Sequence, residues 1–269
     1  MMGYTHVIVG AASTLGIAAL IGDTTQPETY IVASVAGALG GVSCDIDMKD
    51  VRKRPGDSNR KPEITDASRT RLATVGLIIV GALLGVIFQY KYVSNIIVDI
   101  HSGQYISVIG AGFFAIFMLL CYFVVKEHRG FTHSFLFILL SAAGICCVIP
   151  QATLFYIVGA VSHLVIDTLN YQTGKFGNRH GIWLFYPIRV GDGVAFGVCK
   201  SDRKGNKITY FTGSLLFLVL SGFLLWRIKD PTQMIAPIII IVYCLVVLHL
   251  VRIKSEREIR HKMHINGEL

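Results

Sequence analysis

Eight apolar runs divide the chain, at 4–22, 30–44, 72–90, 106–125, 133–149, 151–169, 209–227 and 233–253. Most approach the roughly 20 residues that a helix needs to cross the hydrocarbon core of a bilayer. In lipid the backbone has to satisfy its own hydrogen bonds, which leaves only helices and closed barrels. The runs therefore predict an all-α, polytopic transmembrane helix bundle of about eight spans. Composition agrees with this: 16% of the residues are charged and the mean hydropathy is +0.58, against roughly a quarter charged in a soluble domain. The first run starts at Tyr4 with no basic region before it and no small-residue cleavage site after it, so it is expected to stay in place as a helix.

Eight spans put both termini on one side, and the basic residues say which. With the N-terminus in the cytoplasm, the loops 45–71, 126–132 and 170–208 and the tail from Arg252 carry 22 of the 25 lysines and arginines. The opposite side keeps Lys91, Arg227 and Lys229. By the positive-inside rule, the chain is a multi-pass protein of the cell (inner or plasma) membrane with both termini cytoplasmic. The net charge of +8 then serves topology, aided by anionic head groups, and calls for no nucleic acid.

Span two is short and holds Ser34, Gly37, Gly40, Gly41 and Ser43, which let neighbouring helices approach its backbone closely, so it belongs inside the bundle. The loop 48–71 mixes basic and acidic residues with two prolines and reads as a solvated excursion. Pro150 marks a tight turn between spans five and six, which form an antiparallel hairpin. The glycine-rich loop 170–207, with Trp183, Phe185 and Tyr186, is expected to be an ordered cover at the head-group level, where aromatic side chains are favoured. The six cysteines lack paired CxxC spacing and read as small core residues.

Against this apolar background the ionisable groups stand out. His128-Arg129-Gly130-Phe131-Thr132-His133-Ser134 crowds two imidazoles and a guanidinium between long apolar segments. Such groups are rare there unless they face a protein interior or an aqueous cavity. His6 opens span one, Asp45 and Asp47 follow span two, and His163 and Asp167 close span six. In the predicted orientation all of these lie at the cytoplasmic end, where random placement would scatter about half to the other face. A shared depth is what a single site requires.

His163 and Asp167 are four apart and project from one helix face, suiting two ligands of an ion or a ligand and its hydrogen-bonded partner. Gly130 permits a turn between His128 and His133, and Thr132 is placed to cap the helix that follows. Arg129 matches the oxygens of a phosphate. One of Asp45 and Asp47 would bind or bridge metal while the other acts as general base. Each feature has a bland counterpart: a helix-packing His–Asp pair, a snorkelling arginine, aspartates that solvate a helix end, an interfacial histidine. His101, His180, His249, His261 and His264 are left out of the site.

Imidazole and carboxylate ligands without thiolates favour a divalent ion such as zinc or manganese. Four histidines and up to three aspartates exceed the needs of one tetrahedral zinc, so one to three ions are expected. Paired ions clamp a phosphoryl group and activate a bound water.

At these residues the sequence resembles a family of LexA-regulated, membrane-bound, predicted metal-dependent hydrolases of bacteria and archaea. The matching marks are Thr5-His6, Asp45-Ile46-Asp47, the block His128 to Ser134, and His163-Leu164-Val165-Ile166-Asp167, with Gly181 and Pro187 echoing a later pattern. Where that family usually has proline before its first aspartate, this chain has Cys44. The family has been likened to zinc-dependent phospholipase C and P1-type nucleases, all-helical enzymes that hydrolyse phosphate esters at a multi-zinc cluster. The resemblance covers roughly residues 1–190, so residues 1–208 are expected to form a hydrolase-like domain and 209–269 two further spans and a basic tail.

The expected function is hydrolysis of a phosphate ester, such as a phospholipid head group, at the cytoplasmic face. His6, His128, His133, His163 and Asp167 would hold metal, Asp45 or Asp47 would be ligand and base, and Arg129 would steady charge on phosphorus. A metal-binding transporter or sensor and a purely structural membrane protein are the alternatives.

Overall fold

The computed structural model describes residues 3–21, 27–47, 104–125, 130–171, 181–189, 193–196, 199–200, 203–228 and scattered positions between 234 and 253. The expected span at 72–90 and the loop 48–71 lie outside them. The architecture is helical: α1 (Gly3–Ile21), α2 (Pro27–Ser43), α3 (Gln104–Val124), α4 (Phe135–Val148), α5 (Pro150–Leu169) and α6 (Arg203–Arg227). The described positions from 238 to 253 are helical as well. Four stretches among the described residues are long and apolar enough to cross a membrane: Gly3–Ile21, Thr29–Ile46, Pro150–Leu169 and Gly205–Arg227.

Helices α1, α2 and α5 form the centre because small residues let their backbones meet. A side chain on Gly37 would strike Thr14 and the Gly10 carbonyl of α1, and one on Gly159 would strike the Gly37 carbonyl. The hydroxyl of Thr14 also donates to the Ala33 carbonyl across the α1–α2 seam at 2.7 Å. At the next level Tyr156 of α5, fully buried, donates to Ser43 Oγ of α2 at 3.0 Å. Close approach of this kind replaces the hydrophobic drive that helices lose once lipid surrounds them. It matches what the small residues of α2 predict.

Pro150 opens α5 directly after α4. The residue between them, Ile149, is non-helical (φ −140, ψ 87), and its N–H still bonds to Ile145 O at 2.8 Å. Proline fits the first helical position, where an N–H has no partner to lose, and the predicted hairpin follows.

The start of α4 departs from the sequence reading. Residues Phe131–His133 form a separate 3₁₀ turn, and the cap is Ser134, whose Oγ accepts from the Phe137 N–H at 3.2 Å. Thr132 is therefore not the capping residue. It is fully buried, and its Oγ1 lies 3.2 Å from Nδ1 of His133.

Part of the expected cover is in place across these helix ends. The Leu184 carbonyl accepts from the Phe135 N–H at 2.9 Å, the Phe196 N–H donates to Thr168 O at 2.6 Å, and Ile182 pairs with Val194. A two-residue parallel strand pair, β1 (Asn170–Tyr171) and β2 (Cys199–Lys200), ties the ends of this loop together. Cys44 and Cys121 sit in the core as expected, whereas Cys146 and Cys147 lie exposed on α4, so the core reading fails for these two.

Candidate metal centre

Five of the ionisable groups singled out in the sequence meet at one end of the bundle. His6 comes from the first turns of α1, and Asp45 from the 3₁₀ turn Cys44–Asp47 that ends α2. His133 comes from the turn before α4, and His163 and Asp167 from the last turns of α5. None is more than 3% exposed. Residues separated by as much as 161 positions in the chain thus share one buried volume. His128 and Arg129 lie outside the described residues, as does the side chain of Asp47.

Four of the five spacings are longer than hydrogen bonds and close to those between ligands of one ion. Nε2 of His133 and Nε2 of His163 are 3.3 Å apart. Oδ1 of Asp45 lies 3.7 Å from the first and 3.6 Å from the second. Oδ2 of Asp167 lies 3.6 and 3.8 Å from the same two nitrogens. Donors held 2.0–2.1 Å from a tetrahedral zinc are about 3.3–3.4 Å from one another. Each of the two carboxylate oxygens thus lies from this histidine pair at nearly the separation that a shared ion would impose.

Asp167 turns its other oxygen elsewhere: Oδ1 is 3.4 Å from Nε2 of His6. Among the described residues, neither ring nitrogen of His6 has a hydrogen-bond partner, and neither does Oδ2 of Asp45. His6 is held instead by its ring, stacked on that of His163 at 3.8 Å between centroids. Buried polar atoms left without partners are costly, and two buried carboxylates more so. A divalent cation would satisfy the nitrogens and balance the carboxylate charge together. Two trios, His6–Asp45–His163 and His133–His163–Asp167, could each hold a metal ion, although the one nitrogen of His163 that faces the cluster serves a single ion at a time. Asp167 has an oxygen for each side.

The backbone orients one ligand. Nδ1 of His163 donates to the Gly41 carbonyl at 2.6 Å, which fixes the tautomer and leaves the Nε2 lone pair directed at the cluster. The same glycine carries a second duty, because a side chain there would enter the His6 carbonyl. Thr5, next to His6, donates to Asn206 Oδ1 at 2.8 Å, and Asn206 donates to the Tyr4 hydroxyl at 2.7 Å. The start of α6 thereby clasps the turn that bears His6. Neither Gly41 nor Asn206 was singled out in the sequence as a site residue. A backbone acceptor leaves no sequence signature, and the asparagine is about 200 positions from its partners.

A family model for the YdjM inner membrane protein matches residues 1–252. The chain belongs to that family. Membership agrees with the apolar helices in making this a membrane protein, and the match takes in all five clustered residues. No curated protein matches the chain, and no solved structure does.

Proposed function

We propose that this member of the YdjM family is a metal-dependent hydrolase of the inner membrane, acting on a phosphate ester at the cytoplasmic face. In this reading the chain has about eight spans and both termini in the cytoplasm, and its cluster binds one to three divalent ions, zinc first and manganese second. The observation that carries it is the set of 3.3–3.8 Å separations among His133, His163, Asp45 and Asp167. Only the two imidazoles approach to hydrogen-bond reach, whereas a cluster that served packing alone would have closed the His–Asp contacts to such lengths as well.

His6, His133, His163, Asp45 and Asp167 would hold the ions, with Asp47 and His128 as further ligands. Bound there, divalent ions supply Lewis acidity toward a phosphoryl oxygen and a more acidic water. The chain's own groups do the rest. Oδ2 of Asp45 has no hydrogen bond among the described residues and would take a proton from an attacking water; Asp47 is the alternative base. Arg129 would pair with the phosphate oxygens in the bidentate manner that suits a guanidinium. Complete burial of the donors excludes bulk water and strengthens each of these interactions.

The resemblance to predicted metal-dependent hydrolases and, through them, to phospholipase C-like enzymes supports the same reaction class. A screen of phosphate esters with purified protein under zinc and manganese is predicted to find turnover that chelation abolishes. Stoichiometric metal with no turnover under any ion would contradict the proposal. A metal transporter or sensor is the second reading, favoured by the depth at which the donors are buried. Metal-dependent uptake into vesicles would put it first.

A further inference from the structure

The two helices that meet at the cluster part on its flank. Between α1 and α5 runs an open groove of about 400 Å³ lined by Val9, Ser13, Ile157, Val161, Val165 and Ile166, with Val158 and Ser162 completing it. Its lining is aliphatic apart from two serines. Both walls belong to helices long and apolar enough to cross a membrane, and Val165 on its rim is 49% exposed.

The groove's position relative to the cluster is what gives it meaning. Its upper end is set by Val9, one helical turn after His6, and by Ile166 and Ser162, chain neighbours of Asp167 and His163. From there it descends along α5 to Ile157, nine residues or about 14 Å at the helical rise. It thus starts at the depth of the candidate metal centre and runs toward the middle of the membrane. A lipid of the adjacent leaflet is laid out in the same sense, with phosphate at the interface and chains pointing to the midplane. A soluble phosphate ester would leave this aliphatic trough unused.

We propose that the groove holds one acyl chain of a phosphate-bearing lipid whose head group reaches the cluster, so that the substrate is drawn laterally from the bilayer. This rests on the hydrolase reading for its word "substrate", while the binding itself is tested separately. A chain that comes from lipid is already out of water, so its burial against these side chains adds little hydrophobic gain. The groove therefore acts by orientation, placing the phosphate rather than tightening the complex.

The experiment uses the full chain in vesicles of a zwitterionic phospholipid doped with a diacyl phospholipid that carries a diazirine midway along one chain. After illumination, peptide mapping is expected to find labelling at 157–166 and 9–13 several-fold above that at Leu215 and Leu216, which face outward on α6. Val161→Trp, which fills the groove, is expected to remove the excess, and Leu215→Trp to leave it. The labelling of unaltered protein stands whether or not Val161→Trp folds. Groove labelling no higher than on α6 would overturn the proposal even if phosphate esters are hydrolysed. Strong groove labelling with no turnover of any ester would uphold the lipid site and count against the hydrolase reading alone.

Discussion

Nδ1 of His163 donates a hydrogen bond of 2.6 Å to the backbone carbonyl of Gly41. Three helices depend on this glycine, since its missing side chain lets α1 close in at His6 and its carbonyl sets the imidazole of α5. Gly41→Ala would push a methyl group into the His6 carbonyl, which cannot move without shifting α1. Overpacking of this kind costs about 1–3 kcal/mol. A lower melting temperature in detergent, together with reduced metal content, is the expected result. Wild-type values for both would mean that the contact is not constraining.

His133→Ala separates a metal site from a helix lock. In unaltered protein, metal at a hundred times its dissociation constant should add about 2.7 kcal/mol of stability. The variant should lose that increment while its metal-free melting temperature changes less. Thermal denaturation with and without zinc reads the difference. Equal destabilisation in both conditions would show that His133 only packs.

The legibility of the molecule in its sequence was uneven, for physical reasons. Apolar runs announced α1, α2, α3 and α5, because a lipid-facing helix has no other way to satisfy its backbone. The depth of His6, Asp45, His133, His163 and Asp167 was equally readable, since ionisable groups in such a background have few places to go. Local capping is ambiguous at Thr132 and Ser134 because two hydroxyls lie within three residues, and only the backbone decides that Ser134 takes the cap. The glycines of α2 signalled close approach. Which one would also serve as acceptor for an imidazole, 122 positions away, depends on the tertiary crossing and on nothing local.

Asp45→Asn keeps the shape of the side chain and removes its charge and basicity. If Asp45 takes the proton from water, turnover should fall about 10²–10⁴-fold. The check is a steady-state assay on whichever phosphate ester the screen identifies. Unchanged turnover would remove Asp45 from the reaction and leave Asp47 as the base.

Asn206→Ala would remove the acceptor of the buried Thr5 hydroxyl and the amide donor to the Tyr4 hydroxyl. Losing a buried partner costs about 1–3 kcal/mol per group. The prediction is a melting temperature lowered by several degrees, with weaker metal retention because the first turn of α1 is no longer clasped by α6. If metal retention is unaltered while stability falls, the clasp is structural and does not position His6.

The central claim is that five buried side chains converge on divalent metal, and elemental analysis tests it most directly. Protein purified without chelators, from cells supplied with zinc and manganese, should carry at least one ion per chain. The His163→Ala variant should retain a small fraction of that content. Metal-free wild-type protein, or a His163→Ala variant loaded like the wild type, would contradict the account.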